Sequence, residues 1–249
     1  MRSNFLLDVP DFPARAPSLG CRPSRRPSMG YVAAGRIVNA ASAFACVMLL
    51  AFAPVSAAES LRVLVLGDSL TAGYGLDAKD AFPVRLEAAL KAQGRDVTVL
   101  NAGVSGDTTA GGRARIGWAL ADKPDAVILE LGANDGLRGL DPKATFGNLD
   151  AIIAKLRAAG LPVLLTGMLA PPNLGRDYAA EYNAVFPRLA EKHDVLFYPF
   201  FLAGVAAKPD LNQDDGIHPN GKGVGVIVER ITPYALDLVA RAHKKAGGT

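Results

Sequence analysis

The feature that most constrains the fold is a repeated alternation of short apolar runs with longer amphipathic segments. Apolar runs rich in Val, Ile and Leu are typical of strands buried on both faces of a parallel sheet, whereas apolar residues at helical spacing indicate covering helices. This order predicts one three-layer αβα sandwich of the α/β class over residues 58–249, with about five parallel strands and right-handed crossovers. The predicted strands are residues 63–66, 97–100, 125–131, 162–166 and 195–198, and the predicted helices are residues 81–93, 110–121, 143–159, 178–193 and 225–243.

The first apolar run ends abruptly in Gly67, Asp68 and Ser69. Gly67 permits a sharp turn, and a serine just past the carboxyl end of a strand lies where open α/β sheets bind their ligands. Ser69 is therefore a candidate nucleophile. This stretch alone leaves open the alternative that Ser69 only caps the next helix.

Two more predicted strands end in glycine-rich polar loops at the same edge of the sheet, one containing Gly106 and the other Asn134. Either loop alone could be an ordinary turn with an Asn or Asp helix cap. Gly106 offers an unhindered backbone N–H and Asn134 a side-chain amide. With the N–H of Ser69, they could stabilise the negative charge that develops on a carbonyl oxygen during acyl transfer.

A nucleophilic serine needs a base and a group that orients the base. His193, at the charged end of a predicted helix, and His243, in a basic C-terminal segment, are predicted to be solvated surface residues. His218 lies in a turn-forming stretch, three residues after Asp215. One tight turn can place the Asp215 carboxylate against one ring nitrogen and leave the other nitrogen for Ser69. By itself, this spacing also fits a surface loop or part of a metal site.

Other chemistries have less support in the sequence. It contains no H-E-x-x-H motif, no regular acidic calcium loop, no phosphate-binding P-loop and no G-x-S-x-G elbow. Its two cysteines, Cys21 and Cys46, both precede the predicted domain. We therefore expect no metal ion and no other cofactor.

Residues 1–57 are predicted to be an N-terminal extension and signal peptide. Arg36 precedes a largely apolar stretch, and small residues precede Ala58, as at a secretory cleavage site. The uninterrupted apolar part, residues 43–54, is shorter than the ~20 residues of a membrane span, so no stable span is expected. These features predict a periplasmic or secreted protein, and translation starting at Met29 would give a leader of ordinary length.

The basic character of the chain belongs to this leader. Residues 1–57 contain six arginines and two acidic residues, so removing them lowers the formal net charge from +3 to −1. The remaining domain has no electrostatic feature that favours nucleic acid or an anionic membrane surface. Since no long apolar helix is left unexplained, we expect a monomer.

Four blocks in this order resemble the SGNH (GDSL) hydrolase family, and the resemblance spans residues 61–240. It is closest to the bacterial branch called thioesterase I, lysophospholipase L1 or arylesterase. The blocks are Gly67-Asp68-Ser69-Leu70, Ser105-Gly106-Asp107, Gly132-Ala133-Asn134-Asp135 and Asp215-Gly216-Ile217-His218-Pro219.

The resemblance implies a flavodoxin-like fold without a metal. It implies that Ser69 is the nucleophile, His218 the base and Asp215 the group that orients the base, with Ser69, Gly106 and Asn134 as oxyanion donors. The implied activity is that of an exported serine esterase, which hydrolyses small-molecule carboxylic esters or thioesters through an acyl-enzyme, as in arylesterases, acyl-CoA thioesterases and lysophospholipases.

Two alternatives remain at this point. The same site could serve an O-acetyl esterase that acts on polysaccharides, or the fold could be kept by a non-catalytic protein that binds lipids or glycans. In the resembling branch, residues 168–177 correspond to a loop over the acyl chain, so we expect this segment to form the lip of a pocket.

Overall fold

The structure, a computed structural model, describes residues 60–246. The predictions about the leader, including Met29, Cys21 and Cys46, lie outside these residues. Within them, no helix is both long enough and apolar enough to cross a membrane.

The centre of the fold is a sheet of five parallel strands. These strands are β1 (Leu61–Gly67), β2 (Val97–Gly103), β3 (Ala126–Glu130), β4 (Val163–Thr166) and β5 (Leu196–Tyr198). Their order across the sheet is β2-β1-β3-β4-β5, which is the flavodoxin-like order. The α/β class and the five parallel strands predicted from the sequence are confirmed. The strand order reverses between β1 and β3, and doubly wound sheets bind ligands outside such a reversal.

Helices cover both faces of the sheet, and α2 packs against α8 while α5 packs against α3 and α7. The helices are α1 (Ser69–Ala72), α2 (Phe82–Ala92), α3 (Thr109–Ala119), α4 (Ala133–Leu137), α5 (Pro142–Ala158), α6 (Arg176–Asn183), α7 (Val185–His193) and α8 (Gly221–Ala246).

The core lies along the central strands. Every residue of β3 and β4 is buried, as expected for strands covered on both faces. At the sheet edge, only Val97 and Val99 of β2 are buried, and the Val99 N–H donates a hydrogen bond to Glu87 Oε2 at 2.8 Å. Each fully buried Leu or Ile of the central strands contributes about 1.5–3 kcal/mol relative to exposure. This rigid sheet holds the loops at its carboxyl edge.

The single helix predicted over residues 178–193 is wrong, because the chain forms α6 and α7 with a break at Ala184. Pro187 has no N–H to donate to the carbonyl of Asn183, and its ring would clash with that carbonyl in a continuous helix. Starting α7 at Val185 places Pro187 in the first helical turn, where N–H groups have no intrahelical acceptor.

The last helix begins at Gly221, four residues before the predicted start. Asn220 Oδ1 accepts hydrogen bonds from the N–H groups of Lys222 (3.0 Å) and Gly223 (3.1 Å). This side-chain cap starts the helix earlier than its apolar pattern indicates.

The prediction that His193 is solvated is wrong, whereas His243 is exposed as expected. The His193 side chain is 14% exposed, and its Nε2 lies 2.6 Å from Asp150 Oδ1. Lys192 Nζ lies 2.7 Å from the same oxygen, and its hydrogen bond is the main reason why the pKa of Asp150 is lowered. This cluster joins α7 to α5 and lies away from the carboxyl edge of the sheet.

Candidate active site

Ser69 is the first residue of α1 and follows directly on the end of β1. The helix cap is Asp68, whose Oδ1 accepts a hydrogen bond from the Leu70 N–H at 3.0 Å. The alternative that Ser69 acts as the cap is therefore wrong. With Asp68 buried and Ser69 half-buried, the serine hydroxyl is available at the carboxyl edge of the sheet.

Gly67 is required at this turn because of crowding. Its φ angle is not positive, but a methyl group on its Cα would overlap Thr71 Oγ1 and Glu130 Oε2. The chain therefore turns so tightly after β1 that α1 packs directly against the end of β3.

Asp215 and His218 come from the loop before α8, and His218 contacts Ser69, which lies 149 residues earlier in the chain. His218 Nε2 lies 3.0 Å from Ser69 Oγ, and His218 Nδ1 lies 2.6 Å from Asp215 Oδ2. Asp215 Oδ1 accepts hydrogen bonds of 3.0 Å from the N–H groups of Ile217 and His218. The hydrogen bonds from the backbone and ring of His218 lower the pKa of Asp215 to about 2, so this group is a carboxylate at neutral pH.

Contacts with the loop after α1 hold the His218 loop in place. The Tyr74 ring lies against the His218 ring, with 4.7 Å between their centroids. Gln213 Nε2 donates to the carbonyl oxygens of Tyr74 (2.8 Å) and Pro219 (3.0 Å). The loop after the serine's helix and the loop that carries the histidine are thus connected directly.

Asn134 connects the loops of the two other candidate oxyanion donors. Its Nδ2 donates to the carbonyl of Asp107, next to Gly106, at 3.0 Å and to Asp68 Oδ2, next to Ser69, at 3.2 Å. Both amide protons therefore have protein acceptors in this structure.

Gly106 lies in the loop after β2 with φ +80°, a conformation that favours glycine. Its carbonyl accepts a hydrogen bond from Arg138 Nη2 at 2.8 Å, which fixes one side of the loop. The structure thus brings together at one edge of the sheet the triad candidates and the segments that carry the oxyanion candidates.

Two buried carboxyl groups beneath Ser69 were missed in the sequence. Glu130 Oε2 accepts hydrogen bonds from Thr71 Oγ1 (2.7 Å) and the Asp68 N–H (3.2 Å), while Glu130 Oε1 has no partner among residues 60–246. Burial, followed by the nearby Asp68 carboxylate, raises the pKa of Glu130 well above its ordinary value. Burial also raises the pKa of Asp68 to about 6. The available signal was an acidic residue at the end of an otherwise apolar, buried strand.

Arg115 on α3 was also missed. Its guanidinium donates to Asp107 Oδ2 (2.7 Å), the Ala102 carbonyl (2.8 Å) and the Gly67 carbonyl (2.8 Å). It therefore contacts the ends of β1 and β2 and the loop that carries Gly106.

Across the described part of the chain, no group of three or more His, Cys, Asp or Glu side chains is arranged to hold a metal ion. The chemistry that this edge can perform is nucleophilic. A histidine ring nitrogen within hydrogen-bond reach of a serine hydroxyl can take its proton, and a carboxylate on the other nitrogen stabilises the imidazolium that forms.

The chain resembles known proteins over most of its length. Residues 65–226 match the model of the GDSL-like Lipase/Acylhydrolase family. An arylesterase from Vibrio mimicus is 43% identical over 184 residues, which cover 73% of this chain and 92% of the relative. A protein from Escherichia coli K12 named thioesterase 1/protease 1/lysophospholipase L1 is 42% identical over 197 residues, or 79% of this chain and 92% of the relative.

A solved structure of AlinE4, an SGNH-hydrolase family esterase, has a TM-score of 0.63 with this protein at 47% sequence identity. The match covers 73% of this chain and 98% of AlinE4.

Proposed function

The chain belongs to the GDSL-like lipase/acylhydrolase family, as its four sequence blocks predicted, and we propose that Ser69, His218 and Asp215 hydrolyse acyl esters and thioesters through an acyl-enzyme at Ser69. The family and its esterase relatives make the protein an ester-hydrolysing enzyme. A non-catalytic lipid- or glycan-binding protein does not fit this assignment.

The proposal rests on two hydrogen bonds that share the His218 ring. Ser69 Oγ lies 3.0 Å from His218 Nε2, and Asp215 Oδ2 lies 2.6 Å from His218 Nδ1. Ser69 Oγ attacks the carbonyl carbon while His218 accepts its proton. His218 then donates this proton to the departing alkoxide or thiolate, which leaves an acyl group on Ser69. Water, activated by His218, attacks the acyl group and releases the acid. Asp215 stays ionised and stabilises the His218 imidazolium.

The negative charge on the carbonyl oxygen is stabilised by the N–H groups of Ser69 and Gly106 and by the Asn134 amide. In the free enzyme, the Asn134 amide donates to Asp107 O and Asp68 Oδ2. The oxyanion replaces one of these acceptors. Each such donor contributes about 3 kcal/mol to lowering the barrier.

Exposed apolar side chains support an acyl substrate and favour it over the acetylated polysaccharide alternative. Six of the eight large hydrophobic residues exposed in the described chain follow the carboxyl ends of strands or flank His218. Segment 168–177, the proposed lip, contains a short turn at Pro172–Leu174 and lies beside Gly139 in the loop after β3. The six residues are Tyr74, Val104, Leu137, Leu140, Leu169 and Ile217.

We further propose that the enzyme is exported after cleavage behind Ala57 and acts as a monomer in the periplasm or outside the cell. Its small-molecule substrates include lysophospholipids. N-terminal sequencing of enzyme purified from the periplasm tests the cleavage, and light scattering during size-exclusion chromatography tests the oligomeric state.

The main test is kcat/KM of the purified enzyme on p-nitrophenyl esters from acetate to palmitate. Ser69→Ala should lower kcat at least about 10⁴-fold on every ester, because it removes the nucleophile. Ser60→Ala, whose hydroxyl contacts Thr98 away from the site, is the matched control and should keep full activity. A fluorophosphonate should label the native enzyme and the control at Ser69 only. Ester hydrolysis that persists in folded Ser69→Ala would refute the assignment.

A further inference from the structure

Arg115 joins three chain segments behind the candidate site. Its side chain is 17% exposed, and each of its guanidinium nitrogens donates a hydrogen bond of 2.7–2.8 Å. The acceptors are the last residue of β1 (Gly67), the penultimate residue of β2 (Ala102) and the Asp107 carboxylate. One side chain thus contacts the strand that leads into Ser69 and the strand and loop that lead to Gly106.

The alignment of these two segments is not fixed by the sheet alone. The ladder between β1 and β2 ends with the pairing of Gly67 and Gly103, followed by a hydrogen bond from the Val104 N–H to the Gly67 carbonyl (3.0 Å). Beyond this point the chains separate, one into α1 and the other into the loop with Gly106. Arg115 bridges the separation, because it binds the Gly67 carbonyl on one side and Asp107 on the other.

Asp107 transmits this restraint to the oxyanion donors. It directly follows Gly106, and its carbonyl accepts a hydrogen bond from Asn134 Nδ2 at 3.0 Å. The packing beside this loop is close, since a methyl group on Gly103 would overlap the backbone of Asp68 and Ala72. Because Asp107 is bonded to Gly106 and its carbonyl accepts from Asn134, a shift of Asp107 would move both donors relative to Ser69.

We propose that Arg115 is a positioning residue that aligns the Gly106 and Asn134 donors with Ser69, so that all three bind the same oxyanion. The inference rests on the proposed function, which assigns these donors to the oxyanion. Arg115 acts through Asp107 and the strand ends and does not touch the substrate. A lysine cannot replace it, because one ammonium group on a flexible stem lacks the planar fork that reaches three separated acceptors.

The test compares Arg115→Lys with Arg113→Lys in the full chain. Arg113 lies on the same helix, is exposed and donates only a 3.3 Å hydrogen bond to Asn148. At a temperature where circular dichroism shows both variants folded, Arg115→Lys should lower kcat on a p-nitrophenyl ester about 10- to 100-fold, with KM changed less than about threefold. Arg113→Lys should match the native enzyme in both constants.

A double-mutant cycle separates positioning from a purely structural role. If Arg115 acts through the oxyanion donors, Arg115→Lys should lower kcat by a much smaller factor in an Asn134→Ala background than in the native enzyme. Independent, multiplicative losses, or a kcat for Arg115→Lys equal to that of Arg113→Lys, would overturn the proposal. If Arg115→Lys does not fold, Asp107→Asn takes its place, because it weakens only the link from Arg115 to the loop and should also lower kcat.

Ser69→Ala is measured alongside these variants. An active Ser69→Ala would refute the proposed function itself. An inactive Ser69→Ala with a fully active Arg115→Lys would refute only the role of Arg115.

Discussion

Replacing Glu130 by Gln should change how the stability of the enzyme depends on pH. In the native fold, Glu130 is fully buried, no basic side chain among residues 60–246 forms a hydrogen bond or ion pair with it, and its pKa is raised well above the ordinary value of about 4.3. A carboxyl group with a raised folded-state pKa contributes its full stability below the unfolded pKa. It loses this contribution as the pH rises towards the folded pKa. Gln has nearly the same shape and does not titrate.

The magnitude follows from this linkage. Above about pH 4.3, the free energy of unfolding of the native enzyme should fall relative to Glu130→Gln by about 1.4 kcal/mol per pH unit, until the raised pKa is reached. At low pH the variant should be the less stable protein by about 1–3 kcal/mol. Its side-chain NH₂ group would occupy the buried position of Glu130 Oε1, where there is no hydrogen-bond partner among the described residues. The two stability curves should therefore cross about one to two pH units above 4.3.

Urea unfolding of the full chain, followed by circular dichroism between about pH 5 and pH 8 at constant ionic strength, measures both curves. Glu181→Gln, which removes an exposed carboxyl group, controls for the loss of one formal charge. If the difference between the native enzyme and Glu130→Gln did not change with pH, burial would not govern the ionisation of Glu130 and the reasoning would fail.

Two further predictions concern Asp215 and Tyr182. Asp215→Asn should lower kcat about 10⁴-fold, because an amide cannot stabilise the imidazolium of His218. Since the pKa of Asp215 is about 2, its side chain in the native enzyme should stay ionised between about pH 4 and pH 7, and a titration of the Asp215 carboxyl carbon in that range by NMR would contradict the assignment. Tyr182→Phe should lower the free energy of unfolding by about 1–3 kcal/mol, because the buried Tyr182 O–H donates to the Gly132 carbonyl at 2.5 Å. Thermal melts compared with those of Tyr178→Phe, whose hydroxyl bonds the Leu140 carbonyl at an exposed site, test this, and equal losses would count against it.

The sequence predicts those parts of the molecule that depend on local pattern. The apolar runs of β3 and β4 identify buried strands, because nothing but a covered sheet can bury such runs on both sides. The contact between Asp215 and His218 follows from a spacing of three residues and a turn. The contact between His218 and Ser69 follows from topology, since both follow carboxyl ends of strands in one sheet.

For the arginines of α3, the position in the fold depends on which side of the helix faces the site, and this is why sequence analysis missed Arg115. Arg113 and Arg115 have the same side chain and are two positions apart, which corresponds to about 200° around a helix. Arg115 reaches the ends of β1 and β2, whereas Arg113 remains exposed. The sequence of α3 does not specify which side of the helix faces the sheet, because the helix contains few apolar residues that mark a buried face.

Glu130 shows why a buried acid can suit this site better than a charged one. The turn before Ser69 needs an acceptor for the Asp68 N–H and a partner for the Thr71 hydroxyl, and the end of β3 is the element close enough to supply both. An ionised carboxylate there would add a negative charge, besides that of Asp68, near the proposed oxyanion site. A protonated carboxyl group makes the same contacts without this repulsion. Keeping Glu130 protonated lowers the free energy of unfolding at high pH. The stability curves of Glu130→Gln therefore measure the protonation state of Glu130, which also bears on catalysis.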